Sequence, residues 1–260
     1  MRLNNRVAIV TGGGVGIGRA ISLAFASEGA AVVAAARALP RLEAVADEIR
    51  SGGGRATAIQ TDVSDQNQVK KMVAQTLNEY GQIDILVNNS GIAGPTINVV
   101  DIKLDDWNEV LAINLTGAML CAREVLKSMI ARQSGNIINI SSGAGRGGFA
   151  RRSPYCVSKW GIIGLTQTLA VETGEYNIRV NGIAPGAVEG ERIENVLKAD
   201  AKAMGLTYEE LRSKSIADAV LGRMVTATEI ADTAVFLVSE ESSGITGQIF
   251  DVNAGSRIRV

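Results

Sequence analysis

The sequence predicts an α/β fold: a doubly wound parallel sheet with helices on both faces, formed as a single domain over residues 1–260. Three observations predict it. Short apolar runs of strand length alternate with helix-period segments from Arg6 to Val252, with no linker, repeat or charged tail between them. The first apolar run ends in a glycine cluster that opens the first helix. Hydrophobic residues make up 46% of the chain and charged residues 20%, enough to cover a sheet on both faces and too apolar for disorder.

Composition narrows the function before any motif is read. A net charge of -1 leaves no nucleic-acid footprint and no attraction to a membrane surface, so a small-molecule substrate is expected. No apolar run reaches membrane length, and Met1-Arg2-Leu3-Asn4 leads straight into a strand, where a signal peptide would not fit. Cys121 and Cys156 do not make a disulfide framework, which places the chain in a reducing cytoplasm. Histidine is absent, and with it Ser-His-Asp chemistry, Cys-His chemistry and histidine-held metals.

Taken in order, the strand Arg6–Thr11 runs into Gly12-Gly13-Gly14-Val15-Gly16-Ile17-Gly18, and a helix follows with Ile21, Leu23, Phe25 and Ala26 on its buried side. Strand, glycine turn and helix together aim backbone N–H groups and a helix N-terminus at a phosphate. The spacing is Gly-x-x-x-Gly-x-Gly at Gly12, Gly16 and Gly18. The next strand, Ala31–Ala36, ends at Arg37, with Arg41 a turn further on. A carboxylate at this point suits the ribose of NAD and a cation suits the 2′-phosphate of NADP, so the electrostatics lean toward NADP, with NAD as the alternative. Val15 adds no second charge.

A helix over Pro40–Ile49 and a strand over Arg55–Gln60 lead to Asp62 and Val63, where Asp62 fits a base amine and a turn cap equally well. Ser64 is expected to cap the helix Val69–Tyr80, and the strand Asp84–Val87 runs into Asn88-Asn89-Ser90-Gly91. A continuous helical pattern spans Leu104–Arg132, and Asn114 sits inside it as a poor helix former that competes for backbone bonds. The strand Asn136–Ser142 ends in two serines, and the loop after it carries Arg146, Arg151 and Arg152. Pro154 then opens a helix whose first turns hold Tyr155 and Lys159, four residues apart on one face. Tyrosine is a weak acid at neutral pH, and a cation beside it favours the phenolate. The strand Ile178–Ala184 closes on Pro185-Gly186. The polar, helix-prone stretch Glu189–Val220, with Arg192 near its start, is too long for an ordinary connection and reads as a substrate lid, or else as a peripheral packing element. The helix Thr226–Ser239 and the strand Gly247–Val252 finish the pattern.

With these motifs in order, the chain resembles the classical short-chain dehydrogenase/reductases over essentially its whole length. Thr11 to Gly18 is similar to the family's cofactor turn, Asn88-Asn89-Ser90-Gly91 to its Asn-Asn-Ala-Gly, and Pro185-Gly186 to its turn after the sixth strand. The resemblance implies a Rossmann-type fold, a nicotinamide cofactor, and a catalytic set of Asn114, Ser142, Tyr155 and Lys159. Tyr155 would exchange the proton, Ser142 would hydrogen-bond the substrate oxygen, Lys159 would hold the nicotinamide ribose and favour the Tyr155 phenolate, and Asn114 would hold a water in a proton path. Gly12, Gly14, Val15, Gly16, Ile17, Gly18, Arg37, Asp62, Val63, Asn89, Ser90, Gly91, Tyr155, Lys159, Pro185, Gly186 and Val188 would line the cofactor. Ser142, Arg146, Arg151, Arg152 and Arg192 would face the substrate, and the arginines suggest an anionic one such as a sugar acid or hydroxy acid. Gly190 stands where many members place a threonine. A dock for an acidic carrier protein wants paired basic residues, and the positions resembling it are Gln133 and Tyr176, with Arg132 nearby. A small ketone or secondary alcohol is therefore preferred over a 3-oxoacyl thioester, and a non-catalytic dinucleotide sensor is the remaining alternative. Family analogy suggests a homotetramer built through the fourth and fifth predicted helices.

Overall fold

The computed structural model describes residues 1–256; the last four positions of the single-domain reading, 257–260, lie outside them. The strands are β1 (Val7–Thr11), β2 (Ala31–Ala36), β3 (Arg55–Gln60), β4 (Ile85–Asn88), β5 (Gly135–Ile140), β6 (Ile178–Pro185) and β7 (Ile249–Val252). They form one sheet in the order β3-β2-β1-β4-β5-β6-β7, parallel throughout. The helices are α1 (Gly16–Ser27), α2 (Leu39–Ser51), α3 (Gln66–Tyr80), α4 (Leu104–Leu111), α5 (Gly117–Arg132), α6 (Ser153–Thr173), α7 (Glu191–Met204), α8 (Tyr208–Ala217) and α9 (Ala227–Val238).

The pleat of each strand divides its side chains between two cores. Along β1, Ala8 and Val10 pack with Ile21 and Phe25 of α1 and Ile230 and Val235 of α9. Ile9, between them, packs with Val69 and Met72 of α3 and Val125 and Met129 of α5. Parallel strands covered on both faces must be apolar along their length, and β1 is buried at every position. Each fully buried side chain of the size of Phe25 or Ile9 contributes roughly 1.5–3 kcal/mol of transfer free energy.

The structure corrects several local expectations. In α1 the buried side runs through Gly18, Ile21, Ser22 and Phe25, and Leu23 and Ala26 are half-buried. The helix turns this way because Gly18 presses on the glycine turn, which sets the inward stripe at positions three, four and seven further on. The cap of α3 is Asp65, whose carboxylate accepts from the amides of Asn67 and Gln68. Ser64 instead donates its amide and hydroxyl to Asp62 (2.9 and 2.6 Å). The helix expected over Leu104–Arg132 is interrupted by a π-helical turn at Ala112–Thr116 that divides α4 from α5. The extra residue in that turn carries Asn114 inward, where it is almost wholly buried.

Candidate active site

In an open α/β sheet the crevice lies beyond the carboxyl ends of the strands, where the strand order reverses. Here that point falls between β1 and β4. The turn after β1 needs glycine at Gly12 and Gly16, whose φ values are +66° and +53°. A Cβ on Gly18 would lie 2.1 Å from the Gly12 carbonyl oxygen, so only glycine lets the turn close onto α1. The loop after β4 braces it: the Thr11 hydroxyl accepts from the amides of Asn89 (3.0 Å) and Ser90 (3.1 Å), and Asn89 Nδ2 donates to the Thr11 carbonyl (2.9 Å). No side chain caps α1. Its leading amides therefore face the crevice with their donors available to an anion.

Ile17 packs partly against the α1 core, and Val63 is buried against Gly117 at the start of α5. Gly14 lies against Arg41, whose Cβ is 3.2 Å from where a Gly14 Cβ would stand. Arg37 and Arg41 are both exposed, and Val15 is half exposed beside them. Asp62 is occupied by its own turn through Ser64. On the far side, Gly186 donates its amide to the Val252 carbonyl (3.0 Å), Pro185 pairs with Val252 at the end of β6, and Val188 forms an isolated bridge with Val225. Gly190 caps α7 at φ +133°, a conformation that side-chain-bearing residues rarely adopt.

Tyr155 and Lys159 occupy the first turns of α6 with Lys159 Nζ 5.8 Å from the centre of the Tyr155 ring. Lys159 is buried, and its ammonium donates to the Ile140 carbonyl (2.8 Å) at the end of β5. The Ser141 hydroxyl donates to the Lys159 carbonyl (2.9 Å), which fixes the end of β5, and with it Ser142, against α6. Ser142 starts a 3-10 turn and accepts from the Ala144 amide (3.1 Å). A Cβ on Gly145 would meet the Lys159 carbonyl at 2.7 Å, so this turn lies flat on the helix. Asn114 is clamped in both directions by Ile92, accepting from its amide (2.8 Å) and donating to its carbonyl (3.0 Å), and it also donates to Ser158 (3.1 Å). Burial, with the Arg192 charge as a smaller second cause, lowers the Lys159 pKa to about 7. The ammonium and the amine therefore coexist near neutrality, where the sequence suggested a fixed cation.

A family model described as short chain dehydrogenase matches residues 6–201. The chain is a short-chain dehydrogenase. As such it is an oxidoreductase acting on CH–OH groups. This short-chain dehydrogenase is 40% identical over 259 residues to galactitol 2-dehydrogenase of Agrobacterium fabrum, across 98% of this chain and 99% of that one. It is 36% identical over 255 residues to a 3-oxoacyl-[acyl-carrier-protein] reductase of Thermotoga maritima, across 98% and 99% of the two chains. The crystal structure of an NAD+-bound xylitol dehydrogenase matches it with a TM-score of 0.94 at 32% identity, covering 97% of this chain and 99% of that one.

In this short-chain dehydrogenase the arginines after β5 do not form one cluster. Arg146 donates to the Ile249 carbonyl (2.9 Å) and pairs with Asp251 (3.3 Å), tying its loop to the edge strand β7. Arg152 is buried and pairs with Asp200 of α7 (2.8 Å). Both guanidinium groups are bonded within the protein, Arg146 at the sheet edge and Arg152 in the interior. Arg151 has a left-handed backbone (φ +63°), and its buried Nε has no protein partner. Arg192 reaches from the start of α7 to the Gly91 carbonyl (3.0 Å), and its charge acts on Lys159.

Sequence reasoning gave no role of their own to Thr11, Ile92 and Ser158, which hold the named residues in place. Thr11 and Ser158 carry a readable signal, a hydroxyl at a strand end and one between Tyr155 and Lys159. Ile92 acts through its backbone and carries none.

Proposed function

We propose that this short-chain dehydrogenase transfers hydride between a nicotinamide coenzyme and a small ketone or secondary alcohol, with Asn114, Ser142, Tyr155 and Lys159 as its catalytic residues. The observation that carries this reading is the buried Lys159, held at Ile140 beneath the Tyr155 ring, with its Nζ 3.7 Å from where a Gly91 Cβ would stand. The close backbone approach at Gly12 and Gly18 and the uncapped start of α1 fit a diphosphate. Gly14, Val15, Gly16, Ile17, Asp62, Val63, Asn89, Ser90, Gly91, Pro185, Gly186 and Val188 would line the rest of the coenzyme. A bound nicotinamide supplies or receives the hydride. Tyr155 gives a proton to the carbonyl oxygen in reduction and takes it in oxidation, Ser142 hydrogen-bonds that oxygen as charge develops, and Lys159 would hold the nicotinamide ribose.

Arg37 and Arg41, exposed at the end of β2 without a carboxylate between them, favour NADP. The NAD+-bound xylitol dehydrogenase pulls the other way. Arg192 supports an anionic substrate, a hydroxy acid or sugar acid, and residues 189–220 would close over it as a lid. The Thermotoga relative favours a second reading, a 3-oxoacyl thioester. Against it, Arg132 is spent on Asp84 (2.9 Å) and offers no open cation for a carrier protein. The Val157, Trp160 and Val171 side chains, all exposed on α6, support a homotetramer. Cys121 and Cys156 are both unpaired thiols, which suits the cytoplasm.

A panel of alcohols and ketones, neutral and acidic, assayed by absorbance with NAD(H) and with NADP(H), tests this reading. Tyr155→Phe should lower turnover by about 10²–10⁴ while coenzyme affinity stays near wild type. Turnover that survives the substitution would remove Tyr155 from the reaction, and a clear NADH preference would overturn the reading of Arg37.

A further inference from the structure

Asp200 belongs to the buried face of α7, beside Leu197 and Ala201. One of its oxygens accepts from two other segments at once: Arg152 Nη2 at 2.8 Å and the Thr96 hydroxyl at 3.2 Å. Arg152 reaches the Gly94 carbonyl as well (3.5 Å), and its side chain is only 8% exposed. This arginine is also the cap residue of α6, accepting from the Cys156 amide (2.9 Å), and it stands three residues before Tyr155. A single carboxylate therefore joins the loop after β4, the first turn of the Tyr155 helix and the helix that would form the lid.

We propose that Asp200 is a positioning residue: its bond to Arg152 makes seating of the lid helix and ordering of the first turn of the Tyr155 helix one event. The reason is the burial of the guanidinium. A charge held out of water needs its partner, and withdrawing α7 would leave Arg152 beside a carbonyl alone. The planar fork then has no way to keep its present rotamer at low cost, and the backbone that bears it is the cap of α6. A substrate that seats α7 thus orders Tyr155 through Asp200 and Arg152, two residues that need not touch it. This mechanism rests on the proposed function for its catalytic consequence, and on geometry alone for its structural one.

Hydrogen exchange on the full-length protein without ligands separates the two. In Asp200→Asn, amides of 193–204 and those of 155–157 should both exchange about tenfold faster, with β1, β4 and β5 unchanged. Asp200→Glu should recover most of the protection in both segments. Thr96→Val, a milder change that keeps the ion pair, should loosen the same two segments less. On an accepted substrate, Asp200→Asn should raise KM about tenfold and lower kcat less than that. Loosening of 193–204 with 155–157 unchanged, in Asp200→Asn or in Thr96→Val, would overturn the proposal, and so would wild-type exchange in both variants. Should no alcohol or ketone be turned over at all, the proposed reaction fails while the exchange data still decide the coupling.

Discussion

Lys159 carries the strongest electrostatic statement in the molecule. Its folded pKa is lowered to about 7, first by burial and then by Arg192. An unfolded lysine titrates near ~10.4. Between those values the unfolded chain binds more protons than the folded one, so stability rises with pH across that window, and below about 7 the cost of the buried charge is fully present. Lys159→Met should abolish this rise. Urea unfolding of the unliganded protein at pH 6 and pH 9 checks it: the wild type should gain on the variant as the pH is raised, and parallel curves would refute the lowered value. The tyrosine–lysine spacing was legible because a helix places residues i and i+4 together whatever the tertiary setting. The fates of Arg146 and Arg152 were not. Their partners, Asp251 and Asp200, lie 105 and 48 positions away, and no local pattern announces a pair of that kind.

Among the elements, the turn after β1 is the most constrained by its own sequence. Gly18→Ala would drive a methyl to 2.1 Å from the Gly12 carbonyl and 2.5 Å from Asn89 Nδ2. Backbone atoms there cannot give way, so we expect a loss of roughly 1–3 kcal/mol in stability together with weakened coenzyme binding. Gly244→Ala, where nothing lies within 4 Å, is the control and should leave both unchanged. Thermal melts with and without coenzyme read the difference, and equal behaviour of the two variants would sink the argument. The order of the strands was legible, since periodicity reports it directly. The π turn at Ala112–Thr116 was not, because its apolar positions continue the helical pattern and only the partners of Asn114, at Ile92 and Ser158, reveal the extra residue.

At the scale of the whole molecule, α6 is apolar on two sides. One side packs on the sheet through Ile162, Leu169 and Ala170, while the other leaves Trp160 52% and Val171 85% exposed. A helix apolar all round expects cover on both sides. Trp160→Glu should therefore shift the protein to a smaller species in sedimentation velocity, and an unchanged sedimentation coefficient would remove this face from the assembly. The layered architecture followed from the alternation of strands and helices. The exposed face of α6 was not legible, since a stripe at positions 157, 160 and 171 reads in sequence like any core-facing stripe until the other side is seen to be filled. The amine of Lys159 has one last consequence, for the surrounding medium. A ligand bearing negative charge that settles near a half-protonated amine draws a proton from the buffer as it binds. Such a ligand should therefore bind more weakly as the solution turns alkaline.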